Sequence, residues 1–261
     1  MKRDNLFWGS ALILVGVLLF LQSQGIIGNV FRYFWPLALI LVGSWIILNV
    51  YWPPTGGATA ETFTVPLGAA KSVRFKFSHG VGQIEVSGGA PIGQALVGSS
   101  ATGMNHNSRL DGDRLEVKVE VGPSFVPFLG PSTGVWRFQL TQEVPLTLTM
   151  EAGASSLNID LKDVLATRVQ LKTGASSSNI TMPARGVSLL DVEAGAASVN
   201  IRVPEATAGR IRVKEGVAAV NIDTNRFPRL DSNMYQSSNF NTAVDRAEIN
   251  IGSGLGSVSV K

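Results

Sequence analysis

From Glu61 to Lys261, apolar and polar residues alternate in short runs. Ser72-Val73-Arg74-Phe75-Lys76-Phe77, Arg114-Leu115-Glu116-Val117-Lys118-Val119 and Val135-Trp136-Arg137-Phe138-Gln139-Leu140 each put every second residue on an apolar face. A period of two, rich in Val, Phe and Trp, predicts half-buried β-strands. No convincing amphipathic helix interrupts them. Asp111-Gly112 ahead of a strand predicts a tight turn.

Within this region the pattern itself repeats. Four segments, beginning at Glu151, Lys172, Glu193 and Lys214, follow one another at a 21-residue step: EAGASSLNI, KTGASSSNI, EAGAASVNI and KEGVAAVNI. Apolar residues stand five and three positions before each glycine, as Leu148 and Met150 do before Gly153. Each repeat therefore reads as strand, glycine turn, strand and connection. Gly80 and Gly254 carry the same frame, so the repeat reaches both ends of the domain.

Two folds use such a unit: an antiparallel meander of hairpins, or a parallel β-solenoid of stacked coils. Glu151, Lys172, Glu193 and Lys214 alternate in sign. In a solenoid they would stack about 4.8 Å apart, and opposite neighbours there stabilise by roughly 0.2–1 kcal/mol a pair. In a meander they would lie two strands apart. The alternation therefore predicts a parallel β-solenoid, expected to be right-handed as parallel crossovers generally are. Asn158, Asn179, Asn200 and Asn221 align as well and predict a structural ladder of side-chain amides.

One stretch breaks the period. Gly216 and Gly254 lie 38 residues apart, and the extra segment, about 224–244, carries Phe227, Tyr235 and Phe240 among Asn and Ser. It is either a cap over the open end of the core, which solenoids require, or a partner-binding loop. On the second reading those three rings are the candidate contacts.

The first sixty residues follow a different pattern. Between Asn5 and Ala60 the only charge is Arg32, which divides two apolar runs at 6–22 and 34–52. A membrane-spanning helix needs about 20 apolar residues. The runs repeat each other: Phe7-Trp8 leads into Ala11-Leu12-Ile13-Leu14-Val15-Gly16, and Phe34-Trp35 into Ala38-Leu39-Ile40-Leu41-Val42-Gly43. Phe7, Trp8, Tyr33, Phe34, Trp35, Tyr51 and Trp52 collect at their ends, where aromatic rings favour the bilayer interface. The expected organisation is a two-helix transmembrane hairpin (1–52), a Pro/Gly linker (53–60) and an all-β domain (61–261). A cleaved leader fits less well, since Leu21-Gln22-Ser23-Gln24-Gly25 offers no small-x-small site and a second apolar run follows. Lys2 and Arg3 against the lone Arg32 place both termini, and the β-domain, in the cytoplasm by the positive-inside rule.

Composition narrows the chemistry. Charged residues are only 16% of the chain and apolar ones 45%, as a membrane segment requires. No cysteine is present, which excludes disulfides, thiolate zinc sites and a cysteine nucleophile. His79 and His106, the two histidines, have no partner at a metal-binding spacing and are expected at the surface. The serines after the repeat glycines lack a base. Gly252-Ser253-Gly254-Leu255-Gly256 leads into a strand rather than the helix a dinucleotide site needs. A net charge of +3 does not argue for nucleic acid. The chain is expected to be no enzyme and to use no cofactor or metal. Its oligomeric state is not legible.

The paired helices, with their Phe-Trp and Ala-Leu-Ile-Leu-Val-Gly motifs, resemble the bacterial LiaI/LiaF-type transmembrane region. The repeats, ending in Ala247-Glu248-Ile249-Asn250-Ile251-Gly252-Ser253-Gly254-Leu255-Gly256-Ser257-Val258-Ser259-Val260, resemble the toastrack β-solenoid of LiaF-like and adhesin-like families. The resemblance implies a multi-pass regulator in the bacterial cytoplasmic membrane, active in cell-envelope stress signalling, with a membrane histidine kinase or another envelope-stress protein as partner besides the bilayer. It carries over no catalytic residue. The alternative it leaves open is an outward-facing, adhesin-like or ligand-binding domain tethered to the membrane.

Overall fold

The computed structural model describes residues 20, 22–25, 61–100, 104–121, 135–214 and 219–261. Two compact units divide the chain, Met1–Gly57 and Ala58–Lys261. In the first, Phe20, Gln22 and Ser23 are helical. Gln24 N–H donates to Phe20 O, and Gly25, at φ 72°, follows in the left-handed conformation that commonly ends a helix. The two expected membrane spans and the linker otherwise lie outside the described residues.

The second unit is all-β. Its strands are β1 (Glu61–Pro66), β2 (Ser72–Gly88), β3 (Gln94–Ser100), β4 (Met104–Asp111), β5 (Arg114–Val121), β6 (Val135–Leu140), β7 (Leu146–Asp160), β8 (Ala166–Thr181), β9 (Val187–Arg202), β10 (Ala208–Val213), β11 (Ala219–Ile222), β12 (Arg229–Asp231), β13 (Met234–Gln236) and β14 (Arg246–Val260). They form one sheet whose main path runs β1-β3-β6-β2-β7-β8-β9-β14-β10-β13-β12. β5 flanks the first half of β2 in parallel, and β4 turns back on β5 through Gly112, at φ 57°.

The centre is a parallel ladder of long strands, β2, β7, β8, β9 and β14. Over β7, β8 and β9 the register advances 21 residues per strand: Leu148 lies beside Val169 and Val169 beside Leu190. Parallel pairing excludes a meander for these strands. Leu148, Val169, Leu190, Ile249 and Ile211 all turn into one core at 0% exposure, as do Leu157 and Val199 beyond the glycine. Stacking each strand on the next thus makes the apolar face continuous, and the residues before and after the glycine share the core that buries it.

The glycines mark the place where the alternation shifts. Before Gly153, Leu148, Met150 and Ala152 face inward; after it, Leu157 and Ile159 do, and Gly153, Gly174 and Gly195 drop out of the register pairing without taking a positive φ. Glycine is needed there for space. A Cβ at Gly153 would lie 2.5 Å from the Gly80 carbonyl oxygen, at Gly174 3.1 Å from that of Gly153, and at Gly195 3.0 Å from that of Gly174. At Gly153 the backbones pack more closely than a side chain permits, and at Gly174 and Gly195 a Cβ would fit only if its neighbour gave by a few tenths of an ångström.

The order of the rows also departs from chain order. The fourth repeat does not stack on the third, because β14 threads between β9 and β10, with Ile249 beside both Leu190 and Ile211. The segment between β11 and β14 supplies the hairpin β12–β13, and β13 pairs antiparallel with β10 as far as Arg210↔Gln236. Phe227 is fully buried and Phe240 is 6% exposed. The Arg226 guanidinium donates to the Val203, Pro204 and Thr207 carbonyl oxygens and ties the segment to the turn after β9. Burial lowers its pKa, against the opposing pull of Glu205 and Asp223. Phe227 thus completes the core and Phe240 is buried beneath Arg210, and the reading of the two rings as an exposed contact surface is corrected. Tyr235 is partly buried, packed against the same core with Arg229 over its ring.

Candidate functional site

The glycine row floors an open concavity, a trough of about 860 Å³. On one side stand Glu151, Lys172 and Glu193, in direct cross-strand register with one another and with Ser78. Each follows a buried residue in a strict alternation, which is why its side chain leaves the core. Lys172 Nζ meets a Glu193 carboxylate oxygen at 3.2 Å, and Lys76 meets Glu151 at 3.2 Å. Lys214 does not adjoin Glu193. Gly252 of β14 occupies the intervening place, and the aliphatic stem of Lys214 lies over it, 3.3 Å from where a Cβ would be. The expected four-residue charge ladder is therefore a three-residue ladder plus a lysine one strand farther on.

Beyond the glycines the outward face is polar and almost uncharged. Ser156, Ser177, Ser198 and Ser257 form one row, and Asn158, Asn179, Asn200 and Ser259 the next. Asn200 Nδ2 donates to Asn179 Oδ1 at 3.1 Å, and Ser198 and Ser257 hydroxyls lie 3.3 Å apart. Asn221 pairs with Ser259, so β14 separates it from Asn200 as well. The serine row is visible in the aligned repeats and was missed beside the asparagines.

One histidine lies where the sequence did not put it. His79 is 7% exposed at the inner edge of the trough, its ring 4.1 Å from that of Trp136. Neither ring nitrogen has a hydrogen-bond partner among the described residues, and burial lowers the pKa from its ordinary value. Its buried neighbours in the row, Ala152, Thr173 and Ala194, mark the position as inward, which the local Ser-His-Gly sequence hid. His106 lies exposed on β4, as expected, and stacks on Phe63 at 4.3 Å. The Asn179-Ile180-Thr181 sequon sits within β8. Among the described residues no group of three or more His, Asp or Glu is placed to hold a metal.

The arrangement offers two surfaces: a trough walled by alternating charge, and an array of hydroxyls and amides at strand spacing. Residues 6–47 match the LiaI-LiaF-like transmembrane region, which indicates a membrane protein. No curated protein matches the sequence. Among solved structures, a proposed cell adhesion protein from Clostridium sporogenes superposes with a TM-score of 0.69 at 17% identity, covering 78% of this chain and 98% of the other. It shares the fold. A proposed adhesin from Bacteroides fragilis, at a TM-score of 0.19 and 8% identity over 78% and 97% of the two chains, adds nothing to that. Residues 55–202, more than half of the chain, match the N-terminal domain of toast_rack, DUF2154, and the chain belongs to that family.

Proposed function

We propose that this protein is a non-enzymatic, membrane-anchored interaction module of bacterial envelope-stress signalling. The observation that carries the reading is the pairing, in one chain, of a LiaI-LiaF-like transmembrane match with a toast-rack domain. The 21-residue register and parallel pairing of β7, β8 and β9 support a further step, that the ladder is the body of a right-handed parallel β-solenoid. Such a body is stiff because each coil packs only on its neighbours. Two membrane helices would hold it beside other membrane proteins and raise its effective concentration toward them. The trough and the Ser/Asn face are the surfaces it offers, and a membrane histidine kinase is the partner class the reading calls for.

The Clostridium sporogenes likeness favours a second reading, a tethered adhesin-like domain. Topology separates the two. A reporter fused after Lys261 should be active in the cytoplasm if the module signals; an exported, active reporter overturns the two-span cytoplasmic reading and favours adhesion. Crosslinking in intact membranes, followed by mild solubilisation, should then recover a membrane signalling protein with the full chain. Recovery of none would reject the signalling role.

A further inference from the structure

A second concavity, of about 330 Å³, opens where β14 begins, between Val187 of β9, Arg246 and Glu248 of β14, Arg210 of β10, and Phe240 and Asn241 of the capping segment. Its charge is unbalanced. Arg246, Glu248 and Asn250 alternate with the buried Ala247, Ile249 and Ile251, so Arg246 faces outward on the same side as Glu248. Arg210 stands directly across from Glu248. The Glu248 carboxylate, the acid of this lining, is engaged by Arg212 Nη1 at 2.7 Å. Arg210 is held by neutral groups alone: Nε donates to Gln236 Oε1 at 2.7 Å, Nη2 donates to Asn241 Oδ1 at 3.2 Å, and the guanidinium lies 4.2 Å over the Phe240 ring. Arg246 is half-buried, and its side chain has no hydrogen bond or ion pair among the described residues.

Several outward cations elsewhere on the sheet meet carboxylates, as in Arg74–Glu116, Arg168–Asp191 and Lys172–Glu193. Here two guanidinium groups line one concavity with no carboxylate of their own. One of them is already oriented by three contacts, so little freedom remains to be lost when it binds. A planar, forked guanidinium matches a carboxylate or phosphate through paired N–H donors. Beside Arg246 in register stands Val187, an apolar residue 56% exposed.

We propose that this concavity is a binding site for a small oxyanion, a carboxylate or phosphate group carrying a short apolar substituent. The anionic head would sit between Arg210 and Arg246, and the apolar part would lie along Val187. The capping segment then has two roles: Phe227 closes the core, while Phe240 and Asn241 position Arg210.

The test uses the full chain in detergent, followed by its thermal unfolding midpoint at fixed ionic strength set with sodium chloride. The probes are inorganic phosphate, pentanoate and, as a neutral isostere, pentanamide. At least one oxyanion should raise the midpoint saturably, and pentanamide should not. Which of the two acts assigns the head group. Arg246→Gln should raise the probe concentration needed by about tenfold or more, and Arg246→Lys, which keeps the charge and loses the fork, by less. Val187→Glu should place a carboxylate next to Arg246, raise the midpoint without probe and abolish the response. The proposal fails if neither oxyanion acts beyond chloride, or if Arg246→Gln and Val187→Glu respond as the parent does.

Discussion

Strands β7, β8 and β9 and strands β9, β14 and β10 are built on one sequence frame, yet only the first three stack in chain order. In the first group the register step is the 21-residue sequence period, and Glu151, Lys172 and Glu193 stand side by side. In the second group β14 lies between β9 and β10, and Ile249 separates Leu190 from Ile211. A repeat specifies which residues share a row, because the inward and outward alternation and the glycine spacing must match across strands. It does not specify the sequence of rows. Any strand with the frame can occupy any place, and the choice falls to what covers the ends.

That difference makes the capping segment the most sensitive point of the second group. Phe227 fills the space above Gly209, where a Cβ would come within 2.6 Å of its ring. Phe227→Ala should cost about 3–5 kcal/mol, seen as a lowered unfolding midpoint of the full chain. A change well below 1 kcal/mol would mean that the segment covers no core. Next in size is Gly256→Ala. This glycine has φ 153°, and a Cβ would run into the Ala197 carbonyl of β9. The expected loss is about 2–4 kcal/mol from strain and overpacking. Gly254→Ala, whose Cβ would stand 3.3 Å from the Gly195 oxygen, should cost much less. Equal losses would show that β14 does not lie against β9 in this register.

His79 probes the other end of the ladder. Its folded pKa is lowered from 6.5 by burial, and neither nitrogen has a partner to receive a charge. The unfolded chain therefore takes up the proton first as the pH falls. Stability that is full above about 6.5 should decline below it and level off once the folded imidazole also titrates. The loss should be smaller than for Phe227→Ala, since the imidazole can stay neutral rather than force a charge into the core. His79→Phe keeps a ring against Trp136 and should abolish this step in the stability–pH curve. An unchanged curve would move the titrating group elsewhere.

How much was legible follows from the same distinction. The all-β character of 61–261, the parallel stacking of the repeats and the rows of Glu151, Lys172 and Glu193 and of Asn158, Asn179 and Asn200 could all be read from period and sign. The place of β14 could not, because residues 224–244 interrupt the count and carry no periodicity. The burial of His79 was hidden because a polar residue at one inward position looks like a break in the alternation. Its inward partners Ala152, Thr173 and Ala194 are small and carry little signal of their own. The Arg210–Arg246 concavity joins residues 36 apart through the β10–β14 pairing, and no local motif marks a contact that depends on strand order.

The charge row gives the smallest and most discriminating test. By sequence alone Lys172 and Lys214 are equivalent, each following a Glu by one repeat. In the structure Lys172 stands between Glu151 and Glu193 and pairs with the latter at 3.2 Å, whereas Gly252 lies between Glu193 and Lys214. Lys172→Glu would put three carboxylates in adjacent register positions. Both partners are more than half exposed, so the loss is expected at about 0.5–1 kcal/mol, shrinking as salt rises. Lys214→Glu acts across an intervening strand, about twice the cross-strand spacing, where water and salt weaken the repulsion. Its effect should fall near the error of the measurement. A Lys214→Glu loss as large as that of Lys172→Glu would mean that β10 stacks directly on β9, and the threading of β14 between them would be wrong.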